Sequence, residues 1–288
     1  GEPLPGVTVS VHRTPELGRT VSRADGAWDL AVNGGGLLRV RFEHPGYLPA
    51  QRQVRLAWNQ THRIEDVMLV AEDEHVTELQ LGAAAVGTAR GAEVTDADGS
   101  RTATVILPAG TGAELVLPDG SRTALTSASV RATEYTVGDD GPRRMPAEMP
   151  SNIAYTYAME LGLDEARAAG DAEVRFDRPV VYYLENFLGF PAGNPVPTGW
   201  FDDARGVWVP SASGRVIAVL DTAGGTAAVD TDGDGQADDP ATLADQGFTG
   251  EELARLATLY QAGDTLWRVP IDHFSTWDCN WNFRPPSD

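Results

Sequence analysis

Short alternating segments, closed by clusters of Gly, Pro or Asn roughly every ten residues, hold most of this chain to β-structure. In PGVTVSVH, Val7, Val9 and Val11 alternate, which predicts a half-buried strand. An Asp25-Gly26 turn, the segment AWDLAV and the loop Asn33-Gly34-Gly35-Gly36 follow. LLRVRFE then places Leu38, Val40 and Phe42 on one face, and QRQVRLAW and DVMLV complete a first unit. Beyond residue 100, strands are predicted in TATVILPAGTGAEL, SVRATEYTV, AYTYAMEL, EVRFDRPVVYYLENF, GVWVPSASGRVIAVL and LWRVPIDHF. With 31 Gly, 19 Pro and 42% hydrophobic residues in 288, the chain has enough apolar material for a real core and suits one large or two ordinary domains.

Charge and composition exclude several functions. The net charge is -20, so the chain lacks the basic face that nucleic acid or an anionic membrane requires. No stretch approaches the ~20 apolar residues that span a bilayer. All 22 basic residues are Arg. Without Lys, neither Lys–Asn isopeptide crosslinks nor Schiff-base chemistry is open to it. One cysteine, Cys279, allows neither an internal disulfide nor a Cys-based zinc site. Set between Trp277 and Trp281, Cys279 reads as a small buried residue, with a nucleophile beside His273 as the other reading. His75-Val-Thr-Glu78 has the H-x-x-E spacing of a zinc pair, but strand positions i and i+3 point to opposite faces. No G-x-S-x-G is present, so no turnover enzyme is expected. The start at Gly1, without Met or signal peptide, is expected of a piece of something longer.

Three resemblances organise these segments. Gly1 to Val11, Asp25 to Leu30 and Gly46 to Ala50, in that order, resemble the carboxypeptidase regulatory-like, transthyretin-related domain over residues 1–72. That implies a structural β-sandwich without catalysis. ATVILPAGTGAEL and the pair AYTYAMEL…VRFDRPV resemble the ZU-type β-sandwich, which places a second domain at 101–288 after a connecting segment, 73–100. GNPVPTGWFDDARGVWVPSASGRVIAVL, DTDGDG and DHFSTWDCNW, taken with the first domain, resemble the region upstream of the YD-repeat shell in bacterial Rhs-type, teneurin-like secreted proteins. The expected fold is thus all-β: two β-sandwich domains, with one short helix in an acidic-loop insertion, 221–264, and a final strand segment, 265–281.

Asp230-Thr-Asp232-Gly-Asp234-Gly235-Gln236-Ala-Asp238 places oxygen ligands at positions 1, 3, 5, 7 and 9 of a calcium loop, with Gly at position 6. Ala241 stands where the bidentate Glu would be, and Asp239 or Asp245 is the candidate for a further oxygen. The expected cofactor is one structural Ca²⁺; the other reading is a solvated acidic turn. A helix is predicted in FTGEELARLATLYQ, with Thr249 as N-cap and Leu253, Leu256 and Leu259/Tyr260 as its apolar stripe.

His273-Phe274-Ser275 is the candidate chemistry. Ser275 Oγ would attack the Phe274 carbonyl with His273 as base. Some ZU-type domains self-cleave at a matching His-Phe-Ser and others do not, so the resemblance implies single-turnover cleavage for His273, Phe274 and Ser275 only. The other reading is a core Phe, a satisfied His and a turn-forming Ser. The expected role is a calcium-braced structural or plug module of a secreted or cell-surface bacterial protein. Its expected partner is the downstream shell of its own polypeptide. The alternative is an adhesin or carbohydrate-binding module using Trp200, Phe201 and Trp208.

Overall fold

The computed structural model describes residues 1–135, 141–149 and 155–281. The expected strand ends at 136–137 and 154, and the tail 282–288, lie outside the described residues. The fold is all-β, as expected.

The N-terminal domain is one antiparallel sheet in the order Arg19–Val21, Thr8–Val11, Gly36–Glu43, Ala50–Leu56. Its register sets Val9 opposite Phe42 and Val11 opposite Val40, which gathers the β-branched residues on one face. The expected strands at 27–32 and 66–70 form no ladder within this sheet. They lie over its apolar face instead, where Trp28, Leu30, Val32, Ile64, Val67 and Leu69 pack on Val9, Val40 and Phe42.

Two larger sheets make the second domain. A nine-stranded sheet has the main path Arg122–Leu125, Ala113–Val116, Glu173–Glu185, Thr265–Phe274, Gly214–Asp221, Pro195–Val196. The six-stranded sheet runs Val207–Pro210, Gly199–Asp202, Thr276–Asp278, Ala158–Leu163, Ser127–Tyr135, Thr77–Gln80. Val180, Tyr182, Leu184, Trp267, Val269 and Ile271 face the core between the sheets, with Trp277 and Leu161 from the other side. At ~1.5–3 kcal/mol per buried large apolar side chain, this layer dominates the stability. The segment 73–100, expected to connect the domains, contributes structure to the second one. Thr77–Gln80 pairs with Ser127–Tyr135, and Gly87–Arg90 pairs with Thr104–Leu107. Its small residues hid this, because they carry little of the period-2 pattern.

The alternate residues Val181, Tyr183 and Leu266 point away from that core, and the insertion covers them. Leu243, Phe248, Leu256 and Tyr260 pack on them together with Ile217 and Val219. The helix Gly250–Leu259 begins as expected. Thr249 and Glu252 form a reciprocal capping box. A second helix, Pro240–Asp245, was not expected; the Asp239 side chain caps it and Pro240 opens it. Arg268 joins sheet to helix. Its guanidinium donates to Glu252 at 2.8 and 3.1 Å and to the carbonyls of Gln246 and Gly247, and lies 3.7 Å from the Phe248 ring centre. Both ions are nearly inaccessible, so neither tolerates the loss of the other.

The polar face of the first sheet docks on the second domain. Arg41 donates to Asp203 at 2.5 Å, and Gln51 donates to the same residue. Arg52 donates to the carbonyls of Met145 and Arg143, and Gln53 to that of Gly206. Leu48 and Val70 meet Tyr135, Met145 and Ala158 in a small apolar cluster.

Glu252→Ala is expected to cost about 3–5 kcal/mol, because it leaves the Arg268 charge buried and unpaired. The double change Glu252→Leu with Arg268→Met should cost less than Glu252→Ala alone. Urea denaturation of both variants measures this, and equal losses would show that the pair does not hold the insertion.

Candidate functional site

The His-Phe-Ser motif sits where one chain segment changes sheet. Thr265–Phe274 belongs to the nine-stranded sheet and Thr276–Asp278 to the six-stranded one, with Ser275 at the bend between them. The two sides are held separately. Phe274 lies opposite Val174, while the Ser275 carbonyl accepts from Leu161 N at 3.1 Å and Thr276 lies opposite Glu160. The Phe274–Ser275 peptide therefore bridges two independently anchored strands.

Phe274 is core, edge-on to Phe176 with ring centres 4.8 Å apart. His273 is buried. Its ring meets Trp200 at 4.6 Å and Trp277 at 4.9 Å, and its Nδ1 lies 2.7 Å from Asp272 Oδ1. Trp277 Nε1 donates to the His273 carbonyl at 3.3 Å. His273 Nε2 and Ser275 Oγ are both buried and neither has a hydrogen-bond partner. Among the described residues, the non-glycine residues with positive φ are Arg13, Asn59 and Asp171, all far from the motif in sequence. A ladder irregularity does adjoin it. The register with Glu173–Glu185 jumps from Arg175↔His273 to Val180↔Ile271, so residues 176–179 bulge opposite Asp272.

Two carboxylates flank the bend on the outer face of the six-stranded sheet, missed in the sequence because alternation assigns such positions to solvent. The docked N-terminal domain covers this face. Burial pushes Glu160 up to about 7, against the Thr276 hydroxyl that donates to it, with Arg167 also opposing and Asp203 and Asp171 adding to the rise. Burial likewise raises Asp278 to about 6, and Asn280 donates to it. Cys279 is fully buried beside the Tyr182 hydroxyl at 2.9 Å, and burial pushes its thiol up to about 12, which fits the packing reading and removes thiolate character at neutral pH.

In the acidic turn, Asp230, Asp232 and Asp234 bring one carboxylate oxygen each within 4.8 Å of one another. Asp230 is buried, yet it accepts from the amides of Asp232, Gly233 and Gly235. Burial works to raise its pKa, but these amides together outweigh that and hold it low. Asp238 Oδ2 accepts from Thr231 N, and the Gln236 amide donates to Asp234, while Asp239 is spent on its helix cap. Gly233 has φ +84°, and a Cβ there would lie 2.4 Å from the Ala192 carbonyl; Gly193 presses equally close to Asp232. This double contact seats the turn on the 191–194 loop. Among the described residues, no other His, Cys, Asp or Glu group assembles a metal set, so His75 and Glu78 join none. Of the expected aromatic platform, Phe201 is buried, while Trp200, against His273, and Trp208, against Phe201, are half-buried. Trp58, at 72% exposure, is the open tryptophan.

Residues 1–69 match the family model of the Teneurin TTR-like domain. The chain is 32% identical over 81 residues to teneurin-4 of Homo sapiens, covering 28% of this chain and 3% of that protein. It is 39% identical over 69 residues to human teneurin-1, covering 24% of this chain and 2% of that protein. Teneurin-m of Drosophila melanogaster is 38% identical over 74 residues, covering 26% and 3%. The N-terminal domain is thus similar to a teneurin domain, in agreement with the transthyretin-related resemblance over 1–72. The chain spans only a few per cent of the length of these relatives. No helix among the described residues is long and apolar enough to cross a membrane.

Glu160 makes stability fall as pH rises. Its folded pKa lies above the ordinary carboxylate value, so its contribution is full below about 4.5 and is lost as pH climbs through about 7. Glu160→Gln is expected to flatten the stability profile across that window. Urea melts at pH 5 and pH 8 test this, and an unchanged slope would show that Glu160 ionises freely.

Proposed function

We propose that this chain is a structural module of a secreted, teneurin-like protein of the Rhs/YD-repeat type, packed as a plug on a downstream shell of its own polypeptide. The observation that carries this reading is the teneurin-like N-terminal domain docked on a second sandwich through hydrogen bonds of Arg41, Gln51, Arg52 and Gln53. Such docking suits a scaffold whose two parts act as one body. A bacterial origin and a place outside the cytoplasm belong to the same reading.

Within it, Ca²⁺ braces the acidic turn. Asp230, Asp232 and Asp234 supply hard oxygens, as calcium prefers, and the Gln236 carbonyl and Asp238 are the further candidates by spacing. The ion would offset the mutual repulsion of the three carboxylates and tie the turn to the helix behind it. It takes no part in chemistry.

The module also cuts itself once, between Phe274 and Ser275. Ser275 Oγ attacks the Phe274 carbonyl carbon and its proton passes to His273 Nε2. The carbon–nitrogen bond breaks as that proton moves to the departing nitrogen, which leaves an ester and a free Ser275 amine. Water then cleaves the ester, restoring the hydroxyl and leaving Phe274 with a carboxylate. What supports this is the bend at Ser275 with two buried, unpartnered atoms, His273 Nε2 and Ser275 Oγ, near it in the chain. The new N-terminal strand stays between Ala158–Leu163 and Gly199–Asp202, so the fragments remain together.

Two measurements test these parts. Millimolar Ca²⁺ is expected to raise the wild-type melting temperature by several degrees, and Asp232→Asn with Asp234→Asn should abolish that rise; no rise in wild type removes calcium from the reading. Mass spectrometry of the denatured chain is expected to show fragments ending at Phe274 and starting at Ser275 in wild type but not in Ser275→Ala. A single intact mass for both, after days at neutral pH, ends the self-cleavage part.

A further inference from the structure

Resting on the self-cleavage reading, we propose that Asp272 is the positioning residue that turns the His273 ring into a base for Ser275. The contact between them is one that a regular strand forbids. Neighbouring side chains on a strand point to opposite faces, yet Asp272 Oδ1 and His273 Nδ1 are 2.7 Å apart. The register break supplies the exception. Arg175 pairs with His273 and Val180 with Ile271, so Asp272 has no partner across the ladder and its side chain is free to fold along its own strand.

The chemistry of the contact fixes the tautomer. An ionised carboxylate only accepts hydrogen bonds, so Nδ1 must carry the proton. In a neutral ring, Nε2 then holds the lone pair that a general base needs. Trp200 and Trp277 pack against the ring with centres 4.6 and 4.9 Å away and limit its tilt. Ser275 follows two residues on, at the bend where the chain leaves the strand. The two atoms that must exchange the proton, Nε2 and Oγ, are buried and each lacks a hydrogen-bond partner, so the proton transfer requires them to close on each other. Carboxylate, imidazole and hydroxyl come from Asp272, His273 and Ser275, within one four-residue stretch, rather than from separate elements.

Asp272 is mostly exposed, so its replacement leaves packing intact and isolates the positioning role. The test uses the full chain in three forms: wild type, Asp272→Asn and Ser275→Ala. Cleavage is followed by denaturing mass spectrometry, and the ring is read by the ¹⁵N shifts of His273 in the Ser275→Ala background. An Asn side chain can donate as well as accept, so it no longer dictates the tautomer. Asp272→Asn is expected to slow cleavage about 10–100-fold, less than the roughly 10²–10⁴-fold that a general base itself contributes, because Asp272 acts only through the ring. It should also shift the ring from the Nδ1–H form toward Nε2–H, at an unchanged melting temperature. If wild type is not cut at all, the self-cleavage reading falls and the role of Asp272 with it. If wild type is cut and Asp272→Asn is cut at the same rate, only the role of Asp272 falls. Slowed cutting with an unmoved tautomer also overturns it.

Discussion

The strand Thr265–Phe274 is paired on both edges over its first half and buried on both faces there, and the second domain is organised around it. Along its edges it pairs with Glu173–Glu185 and Gly214–Asp221. Trp267, Val269 and Ile271 fill the core between the sheets, while Leu266 and Arg268 face the insertion. One residue beyond its end, the chain enters the other sheet. This strand is thus the inner wall of one core, the floor of a second, and one of several places where the chain passes directly from one sheet to the other.

Electrostatics follows a similar division. The excess negative charge stays largely outside, and several arginines are spent inside as geometric donors. Arg101 is almost fully buried, held by Asp96 and Glu134; burial opposes its charge, and the two carboxylates more than restore it. Arg41 and Arg52 knit the domains, and Arg268 fixes the insertion. A planar fork of five donors suits each of these multi-acceptor sites better than an ammonium would. A chain without lysine loses little structurally by it.

Much of the strand layout was legible because period-2 alternation survives wherever one face is buried. The Thr249–Glu252 capping box was visible for the same reason: it is local. The clustering of Asp230, Asp232 and Asp234 also follows from spacing and two glycines. Non-local effects were hidden. The strand Thr77–Gln80 belongs to a sheet whose other members lie far along the chain. Glu160 looks like a solvent-facing residue until another domain is laid over it. The contact of Asp272 with His273 depends on a bulge in a strand nearly a hundred residues earlier. Trp200 and Phe201 read as exposed aromatics, but they belong to a strand that pairs with Thr276–Asp278, and that pairing turns them into packing.

The position of Thr265–Phe274 in the chain also bears on time. It is the penultimate strand among the described residues, yet it lies in the interior of its sheet. Until it arrives, Glu173–Glu185 and Gly214–Asp221 each present an unpaired edge with apolar residues on both sides, the kind of surface that recruits foreign strands. The helix Gly250–Leu259 leaves the ribosome earlier but finds the partner of its Glu252 only in Arg268. Assembly of the second domain therefore waits for this strand and is dominated by long-range pairing, a topology that folds slowly.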